Sequence, residues 1–505
     1  MARSGILVTK YHLPTILTAC FAMVWFVLRA HFQSITHDEA DSYIGYVLQD
    51  WPSHWYPSNG NHVLNSILMR LLTWMFGISH LAARGPALLG AAIYMSAVFR
   101  LCILISDEEI LIWPLFVCFV YNPFIMDYMV AARGYSLALG FLMIAIWIVA
   151  NQILHYRPGG EPALRRACAL ASASAALSFC SHFGFAYVNA ACILLFFAWA
   201  CVRTSSLRER ARLAVACLLP GLLVVLPIAG GVLWKWIPGQ IYLGARSYRE
   251  TWHSIIVSTF YELNPYVVNP LLLAALDRIR PFLPALIVTL CVAQFALLAV
   301  RRWRADETRR SRLFPVAIFV SAMIGLTMFL HWRQLKLVGL PLPEERYGIF
   351  FVPLALLVFG IVTSISPPSA AGRILRKASI ALLFIGALYF IGCLRMMYFR
   401  QYKFGADVKA AFPTIQEASR RQGVHEVPTS SDYSSALNFY RIYYHDSNLE
   451  QFRYSDPPPS GKRMYVLPYG YNQEFIKKEG LKVIFHGELT DLSVLVHEDS
   501  EPRAP

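Results

Sequence analysis

The chain has 505 residues, of which 56% are hydrophobic and only 15% are charged. Soluble domains carry about 25% charged residues, so this composition excludes a soluble protein. Several apolar runs reach the length of about 20 residues that a helix needs to cross a bilayer. Together they predict a polytopic membrane protein.

The formal net charge of +14 belongs to the apolar part of the chain. Residues 1–399 carry 32 Lys or Arg and 17 Asp or Glu, whereas residues 400–505 carry 13 and 14. The basic excess lies largely in short loops, as the positive-inside rule predicts for cytoplasmic loops. It therefore requires no nucleic-acid partner. The ten cysteines lie in or beside apolar runs and show no C-x-x-C spacing, which predicts neither disulfides nor a zinc site.

About eleven spans are predicted, and the fold class is an all-α polytopic membrane protein with a small C-terminal α/β domain. The spans are residues 13–31, 86–105, 110–126, 136–154, 168–180, 185–202, 214–234, 283–300, 314–332, 348–365 and 378–398. A cytoplasmic N-terminus places every basic loop on the cytoplasmic side, including residues 301–312, and places the long loop 235–282 outside.

The chain is predicted to divide into a transmembrane domain, residues 1–398, and an extracytoplasmic domain, residues 399–505. The second part alternates a helical pattern over residues 406–421 with short apolar runs at 464–467, 483–485 and 492–496. Runs of that length between turn residues are typical of strands, so a small α/β domain is expected.

The first outer loop, residues 34–84, carries two adjacent carboxylates, Asp38 and Glu39. Ionisable groups beside a membrane are costly unless they are paired or functional. Thr36 and Glu39 fit a capping box that opens a short helix. That structural explanation leaves Asp38 unused, and Asp38 could serve as a general base toward an acceptor hydroxyl.

The second half of this loop, residues 61–76, is predicted to be an amphipathic helix on the membrane surface. Its apolar positions recur at helical spacing and are Leu64, Ile67, Leu68, Leu71, Leu72 and Met75. His62 lies in its first turn, where a helix N-terminus favours anions such as phosphate.

Further ionisable and aromatic residues are predicted at the outer ends of the spans. They are Arg84, Asp127, Arg133, Tyr135, His182, Glu345, Arg346 and Tyr347. Each alone is explained as an interfacial anchor. As a group on one face, their arginines suit a phosphate, and Asp38 with Asp127 would suit a divalent cation such as Mg²⁺ or Mn²⁺.

Four stretches occur in a distinctive order: H-D-E at residues 37–39, N-H-V-L at 61–64, A-A-R-G-Y-S-L at 131–137 and E-R-Y at 345–347. This ordered set resembles the polyprenyl-phosphate-dependent membrane glycosyltransferases of the GT-C fold. The similar lineages are the protein O-mannosyltransferases, the aminoarabinose transferases and the rhizobial lipopolysaccharide transferases. The resemblance covers roughly residues 10–400, and it departs from the common H-P-P-L motif, because Val63 and Leu64 follow His62.

The resemblance implies inverting transfer of a sugar from a polyprenyl-phosphate donor to a glycan, lipid or protein acceptor. The reaction would occur at the outer face of a bacterial cytoplasmic membrane. Asp38 would be the catalytic base, with Glu39 as the alternative, and Asp38 with Asp127 would hold any metal. Arg346, with Arg84 or Arg133, would bind the lipid phosphate. The full set of implied substrate-binding residues is His62, Arg84, Arg133, Tyr135, His182, Arg346 and Tyr347.

Two other classes of function remain open. A transporter or flippase of lipid-linked sugars would carry its charges near the bilayer midplane, often within inverted repeats. Here the ionisable residues gather at one face and the sequence shows no repeat. A non-catalytic subunit of an assembly machine would keep the fold and lose the chemistry.

Overall fold

The computed structural model describes residues 12–50, 52–58, 60–236, 244–260, 271, 274, 278–279, 282–301 and 309–497. Parts of the predicted loop 235–282, of the basic segment 301–312 and of the C-terminus lie outside these residues. In the membrane part the helices are α1 Leu13–Phe32, α2 His37–Ser42, α3 Val63–Phe76, α4 His80–Ile105, α5 Glu109–Val120, α6 Pro123–Tyr128, α7 Tyr135–His155, α8 Glu161–Ser181, α9 Ala186–Val202, α10 Leu207–Trp234, α11 Tyr248–Thr259, α12 Leu283–Arg301, α13 Arg309–Val338, α14 Phe351–Ser364 and α15 Ala370–Gly392.

Each predicted span overlaps a helix of the described chain, although the last one, residues 378–398, extends beyond the end of α15 at Gly392. Within the residues that the structure describes, eight helical segments are long and apolar enough to cross a membrane, which makes this a multi-pass membrane protein. They are Leu13–Phe32, His80–Ile105, Tyr135–His155, Phe183–Val202, Leu207–Trp234, Arg312–Val338, Glu345–Ser364 and Ala370–Gly392. The other three predicted spans coincide with α5, α8 and α12, which are shorter or less apolar.

The predicted third span, residues 110–126, is divided into α5 and α6. Asn122 lies between them, and its side chain accepts hydrogen bonds from the backbone of Phe124 at 3.1 Å and Ile125 at 3.4 Å. Pro123 then occupies the first position of the new helix, where its missing N–H costs nothing. The break turns the chain toward the segment that carries Asp127 and Arg133.

Helices α4 and α7 pack with their backbones in close approach. A Cβ atom at Gly90 would lie 2.4 Å from the Leu137 nitrogen, so only glycine fits there. The hydroxyl of Ser136 donates to the carbonyl of Ala87 at 2.6 Å across the same contact. This contact brings the N-terminal end of α4, with Arg84, beside the N-terminal end of α7, with Tyr135.

Helix α3 forms over Val63–Phe76 within the predicted segment 61–76, with His62 at its N-cap and not in its first turn. Its polar face packs against the protein. Asn65, Ser66 and Thr73 are buried, whereas the large apolar residues at its C-terminal end are exposed. The exposed residues are Leu71, Trp74, Met75 and Phe76. A surface helix that buries its polar face and exposes its apolar face is arranged to contact lipid.

The C-terminal part contains helices α16 Val408–Gln422, α17 Ser431–Tyr443 and α18 Gln473–Glu479, with strands β1 Met464–Pro468, β2 Leu481–His486 and β3 Leu492–His497. The strands form an antiparallel sheet in the order β1–β3–β2, in which Val466 faces Val494. The predicted small α/β fold is therefore present, and the division at residue 399 stays a prediction.

The first outer loop packs into the core of this C-terminal part. Ile35, Ala40 and Tyr43 belong to the same buried cluster as Phe412 and Tyr440. The Ile35 backbone N–H donates to the Tyr440 hydroxyl at 2.9 Å. The loop that carries Asp38 is thus held between the helical bundle and the C-terminal part.

Candidate active site

The first outer loop is organised around Glu39 and Arg84. The Thr36 hydroxyl accepts from the Glu39 N–H at 3.2 Å, and the Glu39 carboxylate accepts from the Thr36 N–H at 2.9 Å. This is the predicted capping box, and it opens α2. Helix α2 continues directly into one π turn over Tyr43–Val47.

All five N–H groups of the Arg84 guanidinium are used in hydrogen bonds within the protein. It makes two hydrogen bonds to the Glu39 carboxylate, at 2.8 and 2.7 Å. Three more go to the backbone carbonyls of Ala30, Gln33 and Ser34, at 3.1, 3.0 and 2.7 Å. The Arg84 side chain is 0% exposed and that of Glu39 is 1% exposed.

The Glu39 carboxylate is consequently used in contacts within the protein. The Ala132 N–H also donates to it, at 2.5 Å. Burial alone raises the pKa of the Glu39 carboxyl, but the Arg84 guanidinium and the backbone donors lower it below its usual value. The placement favours a structural role for Glu39 and Arg84, and their predicted catalytic and phosphate-binding roles stay predictions.

Asp38 points to the other side of α2, toward residues from three distant parts of the chain. Its Oδ2 atom lies 2.5 Å from the Tyr402 hydroxyl, 3.2 Å from Arg133 Nη1 and 3.3 Å from Arg346 Nη1. Among the described residues, Oδ1 has no hydrogen-bond donor. The side chain keeps 21% of its surface exposed, and one carboxylate oxygen is held by donors while the other is left without one.

The surroundings keep Asp38 ionised. Burial by itself would raise the pKa of the carboxyl, but Arg133, Arg346 and the Tyr402 hydroxyl together lower the pKa below its usual value. A carboxylate that stays ionised well into the acid range can accept a proton from a group that becomes acidic during reaction. The predicted residues Arg133 and Arg346 therefore meet at Asp38.

Three of the predicted substrate-binding residues form a buried aromatic cluster near Arg133 and Arg346, the arginines that pair with Asp38. The ring centroids of His62 and His182 are 4.6 Å apart, and those of Tyr135 and His182 are 4.2 Å apart. His62 Nε2, His182 Nε2 and the Tyr135 hydroxyl are buried without a hydrogen-bond partner in the described structure. Buried polar atoms in native proteins are nearly always paired, so this cluster has unused hydrogen-bonding capacity.

Both histidines are neutral at physiological pH. Burial lowers the pKa of His62 well below its usual value, and the Arg133 guanidinium lowers it further. Burial, with Arg133 and Arg346, lowers the pKa of His182 to about 3. Positively charged imidazoles are therefore not available to bind an anion here, and phosphate binding would fall to the arginines.

Arg346 and Tyr347 line a polar cleft of about 570 Å³ at the mouth of α14. The full lining is Gly244, Glu344, Glu345, Arg346, Tyr347, Arg400 and Gln401. Glu345 has φ +43°, a left-handed conformation that is strained for a residue with a side chain and is concentrated at functional sites. The cleft thus adjoins Asp38 through Arg346 and carries a second arginine, Arg400.

Asp127, which was predicted to bind a metal together with Asp38, has a different set of partners. Asp127 accepts from Arg29 Nη2 at 2.7 Å and from the Arg400 N–H at 3.0 Å. No group of three or more His, Cys, Asp or Glu side chains suited to a metal occurs in the described part of the chain. Because guanidinium groups already neutralise both carboxylates, this donor set fits a divalent cation poorly, and metal binding stays a prediction.

Tyr402 and Arg400 were not predicted from the sequence. Both follow the last span in a segment without a recognisable motif, and only the clustering of Tyr and Arg over residues 395–403 distinguishes it. Tyr402 is 7% exposed and donates to Asp38. Its position beside Asp38 depends on how the end of α15 folds back over the bundle, which local sequence does not encode.

A comparison with protein-family models finds no match, and a comparison with curated protein sequences finds none either. Among solved structures, the chain is similar to ArnT, the aminoarabinose transferase of Cupriavidus metallidurans, bound to undecaprenyl phosphate. The TM-score is 0.56 at 12% identity, and the match covers 98% of this chain and 100% of that one.

The apo form of the same enzyme matches with a TM-score of 0.45 at 13% identity over the whole of both chains. The oligosaccharyltransferase of Archaeoglobus fulgidus, in complex with zinc and sulfate, matches with a TM-score of 0.45 at 11% identity. That match covers 97% of this chain and 74% of the other. The likeness to the undecaprenyl-phosphate-bound enzyme confirms the predicted GT-C fold.

Proposed function

We propose that this protein is a membrane glycosyltransferase that moves a sugar from a polyprenyl-phosphate donor to a glycan, lipid or protein acceptor. Asp38 is its general base, and the reaction occurs at the outer face of the cytoplasmic membrane of a bacterium, with the N-terminus in the cytoplasm. The observation that carries the proposal is the Asp38 carboxylate. Its Oδ2 atom is held by Tyr402, Arg133 and Arg346, and Oδ1 has no donor among the described residues. Arg346 also lines the polar cleft.

The cleft supports binding of a lipid-linked phosphate. Arg346 and Arg400 line it, and guanidinium groups match phosphate oxygens with paired hydrogen bonds. The structurally similar aminoarabinose transferase was solved with undecaprenyl phosphate, which suggests the same chemical class of carrier. The apolar helices around the mouth of the cleft would accommodate the polyprenyl chain.

The proposed step is a single displacement. An acceptor hydroxyl or amine donates a hydrogen bond to Asp38 Oδ1, and its lone pair forms a bond to the anomeric carbon. The bond from that carbon to the phosphate oxygen breaks, and both of its electrons leave with the polyprenyl phosphate. Asp38 takes the proton, and Arg346 and Arg400 stabilise the additional negative charge on the phosphate. Attack opposite the leaving group inverts the anomeric configuration.

The proposed function is tested with the full chain purified into lipid nanodiscs. The substrate is an extract of undecaprenyl-phosphate-linked sugars and acceptor lipids from the source cell. We expect time-dependent release of undecaprenyl phosphate together with a glycosylated product, both measured by mass spectrometry. Movement of intact lipid-linked sugar across a liposome bilayer without release would instead identify a flippase. Activity only after addition of other proteins would identify an assembly subunit.

A further inference from the structure

Five consecutive residues that follow helix α15, residues 398–402, each contact the candidate site or the side chains that support it. The first two are fixed by arginines of other helices. The Tyr398 carbonyl accepts from Arg29 Nη2 at 3.2 Å. The Phe399 ring lies between two guanidinium groups, with its centroid 5.2 Å from the Arg29 carbon and 5.3 Å from the Arg84 carbon. Cation–π contacts of this kind are strengthened by burial.

The next two residues of segment 398–402 are fixed through side chains that line the site. The Arg400 N–H donates to Asp127 at 3.0 Å, and the carboxylate is itself paired with Arg29. The Gln401 amide accepts from the Tyr128 hydroxyl and donates to the Glu345 carboxylate at 2.5 Å. Asp127, which was predicted as a metal ligand, thus has a clear alternative role as the anchor of this segment.

Tyr402 ends the segment with its hydroxyl between Asp38 and Arg346. Arg346 Nη1 donates to the Tyr402 oxygen at 2.5 Å, and Tyr402 donates to Asp38 Oδ2 at 2.5 Å. A tyrosine hydroxyl has one hydrogen. Because Arg346 can only donate, that hydrogen must point at Asp38.

We infer that Tyr402 is a positioning residue for the reaction: its hydroxyl holds Asp38 Oδ2, so that Oδ1 faces the acceptor. The inference rests on the proposed function. It adds that the general base must be held in place by segment 398–402. Burial raises the pKa of Tyr402 well above its usual value, so the hydroxyl remains a donor throughout the working pH range. The orientation of the Asp38 carboxylate is therefore set by the contacts that hold segment 398–402, and not by a local sequence motif.

The test compares Tyr402→Phe with Tyr465→Phe. Both tyrosines are buried and both hydroxyls donate, but the Tyr465 hydroxyl bonds the Pro459 carbonyl at 2.8 Å in the C-terminal part. A hydrogen bond to a charged group contributes enough to change a rate by about 10- to 100-fold. We expect Tyr402→Phe to lower kcat by about that factor with little change in KM, and Tyr465→Phe to leave kcat unchanged.

A second measurement does not depend on turnover. The protonation of Asp38 is followed by infrared difference spectroscopy, with the carboxyl band assigned by its loss in Asp38→Asn. Because the Tyr402 hydroxyl stabilises the ionised form, Tyr402→Phe should raise the pKa of Asp38 and move the acid limb of kcat/KM to higher pH.

An unchanged Asp38 titration in Tyr402→Phe would overturn the inference, whatever the activity. Equal losses of kcat in Tyr402→Phe and Tyr465→Phe would overturn it as well. Absence of transfer by the unmodified protein would refute the proposed function instead, and the infrared titration would still decide whether Tyr402 controls the carboxylate.

Discussion

Replacing Arg84 with lysine separates a structural role for this residue from a phosphate-binding role. The guanidinium makes five buried hydrogen bonds, two to the Glu39 carboxylate and three to the backbone carbonyls of residues 30, 33 and 34. A lysine ammonium has three donors, so at least two of these five hydrogen bonds are lost. The Glu39 oxygens keep the Thr36 and Ala132 N–H donors, so the cost is that of the lost bonds. A hydrogen bond that involves a charged group contributes about 1.5–3 kcal/mol, which predicts a loss of about 3–6 kcal/mol in the free energy of unfolding.

The assay is thermal unfolding of Arg84→Lys in detergent, with bound undecaprenyl phosphate measured on the same sample. Arg421→Lys is the matched control, because Arg421 pairs with Glu417 on an exposed helical surface and such pairs contribute little. We expect a clearly lower unfolding temperature for Arg84→Lys alone. Unchanged unfolding together with lost lipid binding would refute this reasoning and would restore Arg84 as a phosphate ligand.

Three further predictions follow from other contacts. Gly134→Ala should abolish activity and destabilise the protein, because a Cβ atom would lie 1.8 Å from the Ser181 carbonyl oxygen. Gly230→Ala should be tolerated, because a Cβ atom there has no neighbour within 4 Å. Thermal unfolding and turnover are measured for both variants. Acidification from pH 7 toward pH 4 should lower the unfolding temperature, because unfolded His182 binds a proton near pH 6.5 and the folded residue only near pH 3. His182→Gln should weaken this dependence of the unfolding temperature on pH. Asp127→Ala should lower kcat by loosening segment 398–402, and added Mg²⁺ or Mn²⁺ should not change the turnover of either the unmodified protein or this variant. Rescue of the variant or activation of the unmodified protein by the metal would support the predicted cation site.

The sequence was sufficient to predict the helical membrane fold, because apolar run length and basic loops report directly on the bilayer. It also located α3 and the capping box of Thr36, since both are patterns within one short segment. The span limits were less accurate where a cap intervenes, as at Asn122, or where a helix such as α13 extends through basic residues that its apolar core does not include.

The candidate site was only partly predictable. Asp38, Arg133 and Arg346 were selected as members of one outer face, and the structure brings them together within hydrogen-bonding distance. The partners of Glu39 and of Tyr402 were not foreseen, because they are contacts between residues 45 and 364 positions apart. Sequence patterns report local periodicity, whereas these pairings depend on how the bundle ends fold over one another.

The most direct measurement of the central claim is the turnover of Asp38→Asn beside that of Asp41→Asn. Both changes remove one carboxylate from the same short helix, but Asp41 is 54% exposed and pairs only with His37 in the described structure. Removing a general base lowers rates by about 10²- to 10⁴-fold. We predict a loss of that size in Asp38→Asn with undecaprenyl phosphate still bound, and near-normal turnover in Asp41→Asn. Full sugar transfer by a folded Asp38→Asn protein would contradict the proposed mechanism.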